Sequence, residues 1–313
     1  MRDKVIESVA TAEASESMLP HDSSALPATA VPRGPGAVRT IILMARMTFL
    51  EAVRRKILLI AAIAGAAFLG LFWAGLHSLL QGMSPKVPPV NRLEGIGMIT
   101  MMALYAGTMM TSLMAALISC DTLSGEIASG TIHAIATKPV NRWCLVLGKW
   151  IGFVGMITIY VLFIEGGTMG VGWIEGRHFT PHAAAALSLI WLQAVLLLTV
   201  TILSSTRLSA LTSGACTLGL YGLAFIGGWM EQFGAIRHIR ASVNLGILAS
   251  LVIPSDALWR RAAFKVQPPL LGAVGVSPFA SSVVPSTAMI IYAVIYVILA
   301  LVVAQILFER RDL

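Results

Sequence analysis

Six apolar runs, each long enough to cross a bilayer, constrain this chain more than any other feature. A membrane helix needs about 20 mostly apolar residues to cross ~30 Å of hydrocarbon. Residues 57–80, 95–119, 148–174, 183–204, 208–230 and 286–308 each meet that length. With 57% hydrophobic residues, 12% charged and a mean hydropathy of +0.83, an ordinary soluble domain is excluded. The expected fold class is therefore all-α integral membrane, with six transmembrane helices. The fourth and fifth runs are separated only by a turn centred on Thr206 and Arg207, which predicts an antiparallel helical hairpin.

Charge sets the orientation. With the N-terminus inside, fourteen of the 22 Lys and Arg lie on the inner side and eight on the outer side. The cluster Arg54-Arg55-Lys56 abuts the first span and is the strongest single indicator. The expected placement is a multi-pass protein of the cell membrane with both termini cytoplasmic. The net charge of +7 points to anionic lipid headgroups rather than to nucleic acid.

The regions around the spans differ in kind. Residues 1–37 are rich in Ala, Ser, Pro and acid, lack the apolar core of a signal peptide, and read as a disordered cytoplasmic tail. Residues 38–313 form the membrane domain. Residues 38–56 contain no Gly or Pro and mix apolar with basic side chains, so an interfacial helix on the inner leaflet is expected. The outer segment 231–285 holds an apolar run, Ala241–Ile253, that is too short to span; it either packs on the outer face or re-enters. Pro254, Pro268, Pro269, Pro278 and Pro285 divide that segment.

Within the spans few residues carry chemistry. Glu165 is an acid inside the third span, a placement that costs about 2.5 kcal/mol or more at a helix centre. It is a candidate for a substrate path; the alternative is a satisfied packing acid in a polar vestibule. Six methionines crowd the second span (Met98, Met101, Met102, Met109, Met110, Met114). Thioethers bind soft metals, but Met also fills gaps between helices, and no Cys or His within the span completes a site. No metal is expected. His178 and His182 flank Pro181 and share no regular helix face. The three cysteines form no paired framework. The pairs Gly148/Gly152 and Gly166/Gly170 have the spacing that permits close helix contact.

Hydrolysis within the membrane has little support. Ser213-Gly214 lacks the preceding Gly of a nucleophile turn, since position 211 is Leu211. His77 sits near the outer end of the first span, and no H-E-x-x-H pattern occurs. The chain also has no phosphate loop: Gly148-Lys149 is followed by Trp150 and lacks a Gly-rich lead.

The polar segment 120–147 is longer than a turn between spans requires. Gly130 stops one helical stretch and Thr131 caps a short helix, Ile132–Thr137. Lys138-Pro139 ends it, and Asn141 caps the next span, with Arg142 and Lys149 at its start. Ile132 and Ile135 make one side of the short helix apolar and His133 makes another polar. Glu126 is the acid in the middle of this basic loop; pairing with Arg142 or Lys138 is its simplest role.

Those elements together resemble the ABC transporter permeases of the type-two exporter family. The string Glu126-x-x-Ser-Gly130-Thr131, then Lys138-Pro139-Val140-Asn141-Arg142, then Leu147-Gly148-Lys149, is similar to that family's signature. The six-span layout, the helix before Arg54 and the long outer segment agree with it over residues 38–313. Where the family often has a basic residue after the acid, this chain has Ile127. The resemblance implies that 120–147 is a coupling region seated on a separate ATPase, with Glu126, Gly130, Thr131, Ile132, His133, Pro139 and Arg142 at the contact. It also implies export, ATP and Mg on the partner subunit with no cofactor on this chain, and pairing with a second copy or a similar permease in the lipid bilayer. The competing reading is a membrane scaffold or sensor that docks a cytoplasmic protein through the same segment.

Overall fold

The computed structural model describes residues 36–83, 88–120, 142–268 and 284–310. The described residues are helical, with no strand among them. Six helices are long and apolar enough to cross a membrane: 56–82, 89–119, 143–176, 183–205, 210–236 and 287–309. We label the elements in chain order: α1 (Ala37–Val53), α2 (Lys56–Gly82), α3 (Pro89–Ser119), α4 (Arg142–Val161), a π-helical turn (Leu162–Gly166), α5 (Gly167–Gly176), α6 (Ala183–Ser205), α7 (Ala210–Ile236), α8 (Arg240–Val252), α9 (Ser255–Val266) and α10 (Thr287–Glu309). The expected all-α, six-span class is what the chain adopts. The tail 1–37 lies outside the described residues apart from its last two positions.

The boundaries follow local chemistry. α3 starts at Pro89, six residues before the expected apolar run, because Pro suits the first helical turn and its missing N–H costs nothing there. α7 starts one residue after Ser209, whose hydroxyl accepts from the Thr212 amide at 3.4 Å. α4, the π turn and α5 run on as one span that ends at Arg177, whose left-handed φ of 48° stops the helix.

α6 is the centre of the bundle. Of its most apolar window 72% is buried, against 6% for α2 and 22% for α10, so the latter two form the exposed rim of the bundle. Side-chain hydrogen bonds tie α6 to its neighbours. Trp150 Nε1 donates to Thr199 Oγ1 and Trp191 Nε1 to Thr158 Oγ1, both at 2.8 Å, an antiparallel seam between α4 and α6. Ser213 Oγ donates to the Thr201 carbonyl at 2.9 Å and Thr201 Oγ1 to Thr217 Oγ1 at 3.0 Å. Those bonds close the expected α6–α7 hairpin. In hydrocarbon such polar contacts and close packing hold helices together, since apolar side chains gain little by leaving lipid.

α2 is held chiefly at one end. Trp73 Nε1 donates to Glu175 Oε1 at 2.6 Å, and His77 Nδ1 lies 3.1 Å from Glu175 Oε2 with Gln81 on its other ring nitrogen. Phe72, Leu76, Ile96 and Ala103 form a separate apolar cluster beside this clasp.

α8 turns back along α7. Gly227 lies under Ala249, Gly246 under Glu231, and Gly234 under Ser242 and Val243, each too close for a Cβ. The chain then bends by 106° between α8 and α9. Arg261 Nη2, on α9, donates to Thr287 Oγ1 at the start of α10 at 2.8 Å, and Arg261 lines one cleft with His182 at the start of α6. α8 and α9 therefore enter the bundle and leave it on the same side. Of the two placements open for the 231–285 segment, the structure adopts re-entry.

Candidate functional site

The residues singled out by sequence fall into two groups. Glu126, Gly130, Thr131, Ile132, His133 and Pro139 lie outside the described residues. Arg142 is the first residue of α4. What the structure describes is the frame on which that segment hangs: α3 ends at Ser119, α4 begins at Arg142, and α1 is clamped against α4. A Cβ on Gly148 would fall 2.6 Å from Met44 Cβ, and one on Gly152 would fall 2.7 Å from the Ala45 carbonyl oxygen. One further turn on, Phe49 meets Gly155. The contacts advance together along both helices, so α1 runs parallel to the first turns of α4. Its packing face is Thr40, Thr48 and Ala52; Ile42, Leu43, Met47 and Leu50 face outward. The Gly148/Gly152 pair thus finds its partner in α1. Gly166 and Gly170, with the same spacing, meet nothing within 4 Å.

The second group is Glu165 alone, which lies in a buried polar tract through the middle of the bundle. Glu165 lies in the π turn and is fully buried. A π turn inserts a wider turn into the helix and is frequent at functional sites. Thr108 Oγ1 donates to Glu165 Oε1 at 3.2 Å and shares its one proton with the Leu104 carbonyl at 2.9 Å. The approach depends on Gly107, where a Cβ would come within 3.0 Å of Glu165 Oε1. Glu165 Oε2 is buried with no hydrogen-bond partner.

Thr108 also lines a cavity of 10 Å³, about the space one water centre needs. Its other polar walls are Tyr105, Gln193, Tyr221 and Asp256. Gln193 Nε2 donates to Ser112 Oγ at 3.2 Å, while its Oε1 is buried and unpartnered. Beyond the cavity Asp256 Oδ2 stands 2.8 Å from Arg260 Nε, an ion pair not aligned as a hydrogen bond. Arg260 Nη2 donates to Glu231 Oε2 at 2.7 Å. Asp256 and Arg260 occupy successive turns of α9, the spacing at which opposite charges meet on a helix. Arg260 retains 3% of its side-chain exposure and serves two carboxylates.

Asp256, Arg260, Glu231 and Gln193 are absent from the sequence-derived candidates. Two signals were legible: the four-residue spacing of Asp256 and Arg260, and a Gln in the middle of the fourth apolar run. Their convergence required α9 to re-enter, which the short apolar run left open. The methionines of α3 fan out instead of converging. Met101 is in the core, Met102 is 41% exposed, and Met109 Sδ accepts from Tyr221 OH at 3.1 Å. Outside the spans, partial burial pushes the His178 imidazole below its usual 6.5; its ring packs against Gly97.

Six helices long and apolar enough to span, with a bent helix pair packed among them, define a multi-pass membrane protein. The family model described as ABC-2 family transporter protein matches residues 44–313, and the chain belongs to that ABC transporter permease family. Family members are membrane components without a nucleotide-binding domain of their own. No curated protein matches the chain.

Proposed function

We propose that this chain is the permease subunit of an ATP-driven exporter, coupled to a separate ATPase through residues 120–147. The observation that carries the reading is the family match over 44–313, on a chain whose polar segment 120–147 lies between two buried central spans. ATP and Mg belong to the partner subunit. Two permease copies enclose the pathway, and the end bearing the α1–α2 corner faces the cytoplasm, as do both termini.

The mechanism is mechanical. ATP binding draws two ATPase subunits together and the coupling segments follow them. Glu126, Gly130, Thr131, Ile132, His133 and Pro139 form the contact, and Arg142 carries the displacement into α4. Because α1 is locked on Gly148 and Gly152, and Trp150 is bonded to Thr199 of α6, a push on α4 moves α1 and α6 with it. Such rigid-body motion is a familiar route between two bistable packings. It requires that ATP favour one of them. Glu165 and the polar tract lie where a substrate path would gain from polar groups.

The test is the Glu126→Ala variant purified with its ATPase in lipid. Loss of substrate-dependent ATP turnover, with the complex still assembled, is expected. Wild-type turnover in that variant would overturn the coupling assignment. Recovery of the native chain with no ATPase would favour a scaffold.

A further inference from the structure

Beneath the corner where α1 turns into α2, the rim of the bundle is split. α2 is held at its far end by the Glu175 clasp and the Phe72 cluster. Its first turns diverge from α3 and leave a groove of 290 Å³. Ile57, Ile60, Ala61 and Ala64 form one wall, and Leu113 and Leu117 face them from α3. Tyr160 closes the floor and turns its hydroxyl to the Ala61 carbonyl at 3.4 Å, so the surface left to an occupant is apolar. Ile60 is 64% exposed and Leu113 46%.

A basic corner adjoins the groove wall along the chain. Arg55 is engaged by Glu51 at 2.8 Å. Arg54 and Lys56 are exposed, and among the described residues no carboxylate pairs with either. Lys56 immediately precedes Ile57, the first residue of the groove wall. A cationic rim above an apolar slot matches one amphiphile better than any protein segment: a negatively charged head with a hydrocarbon tail.

We propose that this groove is a binding site for an anionic phospholipid, its acyl chain between α2 and α3 and its phosphate on Arg54 and Lys56. Basic side chains at a membrane surface attract anionic lipid, and burying acyl methylenes against the bundle fixes the tail. A helix from a second copy could cover Ile60 and Leu113 but would leave the two cations unanswered. The proposal is independent of the transport reading, since its readout is lipid retention.

The full-length chain is placed in phosphatidylcholine nanodiscs doped with phosphatidylglycerol, released, and weighed intact with its bound lipids. Two juxtamembrane cations correspond to about thirty-fold preference for the anionic lipid. The double variant Arg54→Gln/Lys56→Gln is expected to lose that preference while still holding lipid. Ala61→Trp, which fills the slot, is expected to lose both lipids; should it misfold, Ala64→Leu gives the same reading with a smaller side chain. Unchanged phosphatidylglycerol retention in a folded slot-filling variant would overturn the site. So would efficient disulfide cross-linking of two copies through Ile60→Cys, which would make the occupant a protein helix.

Discussion

Arg260 shows how a single side chain can organise a membrane protein's interior. A guanidinium removed from water is costly unless its partners are well placed. Here α7 supplies Glu231 and the preceding turn of α9 supplies Asp256. The Asp256 carboxylate in turn occupies space that exists only because residue 228 has no side chain: a Cβ there would overlap Asp256 Oδ2. Gly228→Ala should therefore expel the carboxylate and leave Arg260 half-compensated. Removing one partner of a buried ion pair costs about 3 kcal/mol or more. A corresponding fall in thermal stability in detergent is expected. Combining it with Asp256→Ala should cost less than the two single changes summed, because each removes the same contact. Strict additivity would show that Gly228 acts elsewhere.

At the scale of elements, the pairing of α1 with α4 shows how a small-residue motif acquires meaning. Gly148 and Gly152 let the α1 backbone approach until a Cβ would strike Met44 or the Ala45 carbonyl. Backbone cannot swing aside as a side chain does, so Gly152→Val should overpack the seam by about 1–3 kcal/mol and loosen α1. Gly170→Val, in the otherwise identical pair, meets only open space and should be silent. Limited proteolysis after Arg54 and Arg55 reads the difference: faster cleavage in the first variant, unchanged in the second. Equal rates would mean that α1 is held by something other than this seam. The re-entrant pair α8–α9 makes the same point. Its first helix was legible as the short apolar run Ala241–Ile253 ahead of a proline; the second, α9, was not. Its seating was not, because Gly227, Gly234 and Gly246 are unremarkable until the helix that lies on them is known.

At the scale of the whole molecule, an even number of spans returns the chain to the side it started from. With the native cysteines replaced, Gly36→Cys and Arg310→Cys should both react with an impermeant thiol reagent from one side only. Opposite sidedness would require α8–α9 to act as a seventh crossing, against the return of Arg261 to the start of α10. The bundle built from these spans is uneven. α6 is sheathed by α3, α4, α7, α9 and α10, while α2 packs on α3 and α5 at the outside of the bundle. That asymmetry places the polar tract at the centre and the apolar groove at the rim.

The class, the six spans, the α6–α7 hairpin and the membership of a permease family are all legible along the chain. Each of these is written locally, in the length of an apolar run or the spacing of a motif along the chain. The tertiary structure alone decided that Glu165, Gln193 and Asp256 lie along one buried tract. It also decided that one Gly-x-x-x-Gly pair is a seam and the other is empty. Hydropathy records that a residue is shielded from water, whether by lipid or by another helix. Which helix does the shielding depends on contacts between segments more than a hundred residues apart, such as Met109 with Tyr221 and Tyr105 with Trp259, and only the folded bundle supplies them.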